Sequence, residues 1–138
     1  MENQIQLAEV LSANDQHEEC MQICQAIINE EPHKPLPWKY LAKSLLALGQ
    51  FSKAKQYLEK AHSLDPCDPE TIKDIGSIYL RLGNMKEATQ WYKKAISECE
   101  TYVPAISNLA EVYRQRGNYK QALDLFLKAA EEFGYKKT

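Results

Sequence analysis

The sequence predicts an all-α protein built from repeated helix pairs, and three observations support this fold class. Glycines at Gly49, Gly83 and Gly117 are 34 residues apart. Each copy reads as a helix, a glycine turn and a second helix. Sets of small and of bulky residues recur at the same step: Ala42, Gly76 and Ala110; Ala54, Ala88 and Ala122; Ala61, Ala95 and Ala129; Leu45, Tyr79 and Tyr113; Phe51, Met85 and Tyr119; and Leu58, Tyr92 and Phe126. A fixed period of this length indicates helix pairs packed one against the next.

The first quarter of the chain is predicted to be a degenerate copy of the same unit. Leu7, Ala8 and Leu11 stand 34 residues before Leu41, Ala42 and Leu45. The turn glycine is replaced by Asp15, and aspartate tolerates the left-handed backbone conformation that such a turn needs. Terminal repeats are often atypical because one face has no neighbouring repeat.

Four repeats then account for the chain, and together they predict a single domain over residues 1–138. The predicted repeats are 1–34, 35–68, 69–102 and 103–136. In each, we expect a first helix over about 14 residues and a second helix over roughly positions 17–31. Prolines at the first or second position of the first helix suit a helix start, and Asp68 is a candidate N-cap.

The best copy of the repeat carries a recognisable motif. Its residues are Trp38, Leu41, Ala42, Leu45, Gly49, Phe51, Ala54, Leu58, Ala61 and Pro66. This pattern resembles the tetratricopeptide repeat. The resemblance implies a right-handed α-solenoid of antiparallel helix pairs that binds another protein, as an adaptor or assembly scaffold. The small residues would let the two helices of a repeat cross closely, and Trp38 and Tyr79 are predicted to belong to the core.

Composition and charge limit the classes of function. The chain has 138 residues, of which 44% are hydrophobic, and a net charge of −2. A dedicated nucleic-acid binder would be basic, so no nucleic-acid partner is predicted. No apolar run is long enough to span a membrane, and the N-terminal residues do not resemble a signal peptide. We therefore expect a cytoplasmic protein with no membrane partner.

No catalytic constellation is apparent, so the chain is predicted not to be an enzyme and to need no cofactor. His17, Cys20 and Cys24 share one helical face, as ligands of a metal would. They occupy packing positions of the repeat, however, and buried cysteine usually acts as a small apolar residue, so no metal site is predicted. Reduced thiols are expected, with a disulfide between Cys67 and Cys99 as the weaker alternative.

The partner-binding site is predicted to lie on the inner face formed by the first helix of each repeat. At ~100° per residue, positions 2, 5, 9, 12 and 13 of each repeat point away from its second helix. The partner-binding residues predicted there are Lys39, Lys43, Leu46, Lys73, Leu80, Arg81 and Arg114. Such a basic, partly apolar groove would suit an extended or helical peptide with acidic groups. The alternative is that these cations are simply solvated.

The last repeat suggests two further roles. Its second helix still carries Leu123, Leu125, Leu127 and Phe133, and the last residues of the sequence, Tyr135–Thr138, are too few for a covering helix. The chain could belong to a longer array, form a homo-oligomer through this helix, or tolerate the exposed surface; exposed apolar patches usually mark contacts. The alternatives to an adaptor are therefore a self-associating structural array and a non-catalytic substrate-recognition segment of a larger enzyme.

Overall fold

The structure, a computed structural model, describes residues 2–134 and is all-α in that range. The end of the fourth predicted repeat and the segment Tyr135–Thr138 lie outside the described residues. The helices are α1 (Glu2–Ala13), α2 (His17–Glu30), α3 (Pro35–Ala47), α4 (Phe51–Leu64), α5 (Pro69–Arg81), α6 (Met85–Glu98), α7 (Val103–Gln115) and α8 (Tyr119–Glu132). Each lies within the segment predicted for it, and the all-α solenoid class is confirmed.

Local chemistry explains where the first helices begin. Proline is the first residue of α3 and of α5, where its missing N–H would have had no helical partner. In α7 proline is the second residue, Pro104. Asp68 caps α5, because its carboxylate accepts a hydrogen bond from the backbone N–H of Glu70 at 3.1 Å. The predicted N-cap is therefore confirmed.

The four turns inside the repeats share one backbone conformation. Gly49, Gly83 and Gly117 have φ of 78°, 84° and 81°. Asp15 has φ of 60° and is the one non-glycine residue with positive φ among residues 2–134. The first repeat thus makes the same turn without glycine, as its sequence predicts.

Replacing Asp15 by glycine is expected to stabilise the protein modestly. Glycine removes the strain of a side chain at positive φ, although it also adds freedom to the unfolded chain. The net gain should be about 0.5 kcal/mol in the free energy of unfolding, measured by urea titration. Asn14→Gly, one residue earlier and outside positive φ, is the control and should destabilise slightly. An equal response of the two variants would contradict the role assigned to Asp15.

The chain divides into two compact units, Met1–Cys67 and Asp68–Thr138. The first unit contains α1 to α4, in which each helix contacts the next and α1 also contacts α3. The second unit contains α5 to α8 with the same pattern, including a contact between α5 and α7. The division falls close to the predicted boundary between the second and third repeats. A single domain over 1–138 stays a prediction from the sequence.

Small residues occupy the buried helix crossings in both units. Ala42 and Ala54 in the first unit and Ala88 in the second are fully buried. At Gly76 an added Cβ would lie 3.0 Å from the Cβ of Trp91 and 3.1 Å from the ring of Tyr92. The predicted close crossing of α5 and α6 is therefore confirmed.

The two aromatic residues predicted as core lie at its edge instead. Tyr79 is half-buried and packs on the cluster formed by Ala88, Tyr92, Leu109 and Val112. Trp38 is also half-buried, and its indole Nε1 donates a hydrogen bond to the Pro32 carbonyl at 2.9 Å. A buried indole needs such a partner, so Trp38 keeps its polar edge at the unit's periphery.

Each tryptophan has a lysine ammonium over its ring. Lys60 Nζ lies 5.8 Å from the Trp38 ring centroid, and the Tyr57 ring lies 5.7 Å from it on a tilted plane. In the second unit Lys94 Nζ lies 5.1 Å from the Trp91 ring centroid. Contacts of this length are attractive because the ring face is electronegative.

Candidate functional site

In the first unit, the predicted partner-binding residues lie together on one side of α3. Lys39, Lys43 and Leu46 are spaced by four and three residues and are all half-buried. We call this set the α3 face. Leu41 and Leu45, on the opposite side of the helix, are buried against the neighbouring helices. The helical period therefore separates a packing side from a side that carries two cations and a leucine.

A cleft between α1 and α3 is lined in part by Ile5, Glu9 and Leu36, which occupy repeat positions predicted to lie on the inner face. It has a volume of about 290 Å³ and is lined by Ile5, Gln6, Glu9 and Leu36. The charged group in this cleft is the carboxylate of Glu9, which is exposed. The inner side of the first unit thus carries both signs of charge. The charged residues predicted for this surface from the sequence were all cations.

In the second unit, Lys73 is held by a neighbouring carboxylate. Its Nζ lies 2.6 Å from Oδ1 of Asp74, whose side chain is buried. A carboxylate in that position needs a nearby cation because burial alone would disfavour its charged form. Lys73 therefore already stabilises the fold. Adjacency in the sequence is a poor signal for this pair, because neighbouring residues of a helix point ~100° apart.

Arg114 on α7 is paired in a similar way. Its Nε donates a hydrogen bond to Oε2 of Glu111 at 2.9 Å, and its terminal nitrogen contacts the other carboxylate oxygen. This bidentate pair lowers the pKa of Glu111 below its usual range. Gln115 donates to the same carboxylate. The spacing of three residues along the helix was the signal that sequence reasoning left unused.

Leu80 and Arg81 complete the predicted set in the second unit. Leu80 is half-buried, and it packs on the cluster that contains Tyr92 and Val112. Arg81, the last residue of α5, is exposed. Lys73 and Arg114 are thus partly neutralised by carboxylates on their own helices.

A second cleft in the first unit was not predicted. It has a volume of about 350 Å³ and lies between α2 and α4, on the packing side of α3. Its lining is Glu18, Met21, Gln22, Gln25, Leu41, Leu45, Lys53 and Tyr57. Leu41 and Leu45 form an apolar floor because they are nearly buried. Sequence reasoning treated both leucines only as core, since the spacing of α2 and α4 cannot be read from residue types.

Two of the four cysteines, both on α2, are packing residues. Cys20 and Cys24 are fully buried, with their sulfur atoms 4.0 Å apart, and Cys20 Sγ donates to the Ala8 carbonyl at 3.3 Å. Burial raises the pKa of the Cys24 thiol, so it stays protonated at neutral pH. All four cysteines lie within residues 2–134 and are thiols, so the disulfide between Cys67 and Cys99 is not formed.

Residues 2–134 contain neither a metal-binding cluster nor a membrane-spanning helix. No group of three or more His, Cys, Asp or Glu side chains there is arranged to hold a metal ion. None of the helices in this range combines the length and apolar content needed to cross a bilayer.

Comparison with known proteins identifies the repeat. Two sequence profiles described as tetratricopeptide repeat match residues 45–98 and 105–132. No curated protein sequence matches the chain significantly. These profile matches together cover more than half of the chain. They include Gly49, Gly83 and Gly117 and the recurring small residues of three predicted repeats except Ala42.

Solved structures with the same fold support the identification. A crystal structure of MamA superposes with a TM-score of 0.85 at 17% identity, over 96% of this chain and 78% of that one. MamA from Desulfovibrio magneticus RS-1, residues 41 to the end, gives 0.83 at 16%, over 99% and 77%. A thermophilic TPR protein of Thermus thermophilus gives 0.83 at 21%, over 94% and 72%. At these identities the likeness concerns the fold alone, and with the profile matches it shows that the chain belongs to the tetratricopeptide repeat family.

Proposed function

We propose that the protein binds an extended or helical segment of another protein, one with acidic groups, on the faces of its first helices. Tetratricopeptide repeats are typically non-catalytic protein-interaction modules, and a scaffold role follows from the family. The nature of the segment and the surface that it contacts are the proposal. The observation that carries it is the α3 face, on which two lysines one turn apart are followed by a half-buried leucine on the same side of the helix.

The chemistry of the α3 face favours an acidic partner. Lys39 and Lys43 would attract carboxylates and set the register of the bound segment. Leu46 would supply apolar area that a peptide side chain can cover. In the second unit, Leu80 and Arg81 offer the same combination of apolar area and positive charge. Lys73 and Arg114 lie beside the carboxylates of Asp74 and Glu111, which reduces their attraction for an acidic partner.

The proposal is tested by selecting random short peptides on the immobilised protein and measuring their affinities by fluorescence anisotropy. The selected peptides should be enriched in aspartate and glutamate. The double variant Lys39→Glu, Lys43→Glu should bind them at least about tenfold more weakly, the effect of losing close charge pairs and adding repulsion. Added salt should weaken binding to the wild type as well.

The matched control is Lys86→Glu, Lys93→Glu, which makes the same charge change on exposed positions of α6. It should leave the affinity within about twofold of the wild type, and circular dichroism verifies that both variants are folded. Selected peptides without acidic enrichment, or equal affinities of the two double variants, would show that the α3 face is not the binding surface.

A further inference from the structure

The cleft between α2 and α4 is a trough with an apolar floor and two unlike walls, and we call it the α2–α4 cleft. Leu41 and Leu45 form the floor, and both are nearly buried. The wall on α4 consists of Lys53 and Tyr57, one turn apart. The wall on α2 consists of side chains three and four residues apart: Glu18, Met21, Gln22 and Gln25. Because the wall on α2 extends over two turns, the trough is about 10 Å long.

The repeat explains why the α2–α4 cleft is open. Two repeats after Leu45, the equivalent residue of the second unit is Tyr113. Tyr113 packs on the buried cluster that contains Leu109, and Leu109 is the equivalent of Leu41. The second unit thus places an aromatic ring beside the position that forms the floor of the cleft in the first unit. With leucine at position 45, the first unit lacks this ring.

Tyr57 forms a fixed wall of the cleft and does not fill the space. Its ring packs on Trp38, with the two ring centroids 5.7 Å apart. The Trp38 indole is held in turn by its hydrogen bond to the Pro32 carbonyl. Tyr57 is therefore kept beside Trp38, and the cleft is present before any ligand binds. A preformed site reduces the entropy cost of binding.

We infer that the α2–α4 cleft binds an aromatic side chain of a partner protein, in place of the ring that the first unit lacks. The cleft has a volume of about 350 Å³, more than twice that of a cavity that holds benzene, roughly 150 Å³. A tyrosine or tryptophan side chain with its adjoining main chain therefore fits. The leucine floor and the thioether of Met21 are favourable contacts for a ring. This site goes beyond the proposed binding on the α3 face, because it lies on the opposite side of α3.

The polar residues at the rim indicate what flanks this aromatic side chain. Glu18 and Lys53 are exposed and lie on opposite walls of the cleft. A segment that crosses the cleft would match them with a basic residue beside Glu18 and an acidic residue beside Lys53. The amides of Gln22 and Gln25 can both donate to and accept from the main chain of such a segment. The occupant is therefore a protein segment with an aromatic residue between a basic and an acidic residue, rather than a bare aromatic molecule.

The test is a nuclear magnetic resonance titration of the ¹⁵N-labelled full chain with capped tripeptides at low ionic strength. The probe is lysine–tryptophan–glutamate, which should shift the signals of α2 and α4 and the side-chain amides of Gln22 and Gln25, with a Kd of roughly 1 mM or tighter. The peptide with alanine in place of tryptophan should bind at least about tenfold more weakly, because it leaves the apolar floor uncovered. The tryptophan peptides flanked by two lysines or by two glutamates should bind at least about twofold more weakly.

A variant of the floor tests the site itself. Leu45→Tyr supplies the ring that the second unit has at this position, so it should fill the cleft and weaken binding of the tryptophan peptide at least about tenfold. Leu48→Tyr makes the same change at an exposed leucine outside the cleft, and this matched control should bind like the wild type. Circular dichroism checks each fold, and Met21→Trp replaces Leu45→Tyr if its helix content falls. The double variant Lys39→Glu, Lys43→Glu should also keep the wild-type affinity, which separates this site from the α3 face.

Several outcomes would overturn the inference. They are the absence of saturable shifts up to about 10 mM tryptophan peptide, equal binding of the alanine peptide, undiminished binding by the folded variant that fills the cleft, and loss of binding in the α3-face double variant. Indole alone binding as tightly as the tryptophan peptide would assign the cleft to a small aromatic molecule instead. Equal affinities of the three tryptophan peptides would contradict the flanking charges assigned to the segment.

Discussion

Tyr92→Ala is expected to lower the free energy of unfolding by about 3–5 kcal/mol, the range for truncating a buried aromatic side chain. Tyr92 lies on α6, and its ring is almost completely buried between α5 and α7, where it packs on Leu109 and Val112. Removing it leaves a cavity, and the close contact with Gly76 shows that α5 already packs tightly against it. Urea titration followed by circular dichroism measures the loss.

Tyr92→Phe is the control that keeps the ring and removes the hydroxyl. That hydroxyl lies 2.9 Å from Ser77 Oγ, and losing the hydrogen bond should cost about 1 kcal/mol. If the two variants were equally destabilised, the ring would not be the stabilising element, and the packing of α6 on α7 would need another explanation.

The wild type and Tyr92→Phe should also differ in how their stability depends on pH. Burial raises the pKa of the Tyr92 phenol above its usual range, with the hydrogen bonds from Ser77 and Asn108 acting in the opposite direction. The folded state therefore holds this proton more tightly than the unfolded state does. Its contribution to stability is complete below pH ~10 and is lost as pH rises beyond it. The stability of Tyr92→Phe should consequently fall less steeply in that alkaline range.

Gly76→Leu should destabilise the protein by about 3 kcal/mol, at the upper end of the cost of overpacking. Even a Cβ at this position would lie 3.0 Å from the Trp91 Cβ, and leucine adds three more carbons to that contact. The helices α5 and α6 would have to separate, which would also disturb Tyr92. Thermal and urea unfolding measure the change.

Two controls separate steric cost from helix propensity. Gly76→Ala gains about 1 kcal/mol in propensity, which opposes its own tight contact, so it should lie within about 1 kcal/mol of the wild type. Ala47→Leu at an exposed position of α3 should change stability by less than about 0.5 kcal/mol. A neutral Gly76→Leu variant would mean that α5 and α6 can separate freely.

The helix ends and turns could be predicted because they depend on a few neighbouring residues. Glycine at positive φ, proline at a helix start and aspartate as a cap each act within one turn of the chain. The substitution of Asp15 for glycine could be interpreted for the same reason, and its φ of 60° agrees.

Burial at the edges of a unit was harder to predict. Phe126 occupies the same repeat position as Leu58 and Tyr92, yet it is 39% exposed while they are buried. The position defines which side of the helix the residue faces, but burial requires an element that covers that side. Trp38 likewise lies at the edge of its unit, where its indole can reach the Pro32 carbonyl.

The charge of the candidate site could be predicted only in part. The helical period identified which residues share a face, and Lys39, Lys43 and Leu46 do share one. Pairing depends on the direction and reach of individual side chains, and these bring Lys73 to Asp74 and Arg114 to Glu111. A count of cations by position overlooks such partners.

The two tryptophans have a practical consequence for unfolding studies. Trp38 lies in the first unit and Trp91 in the second, and the chain has no others. Replacing one with phenylalanine leaves a fluorescence signal from the other unit alone. Two denaturant titrations would then give separate unfolding midpoints, and their difference would measure how unequally stability is distributed along the chain.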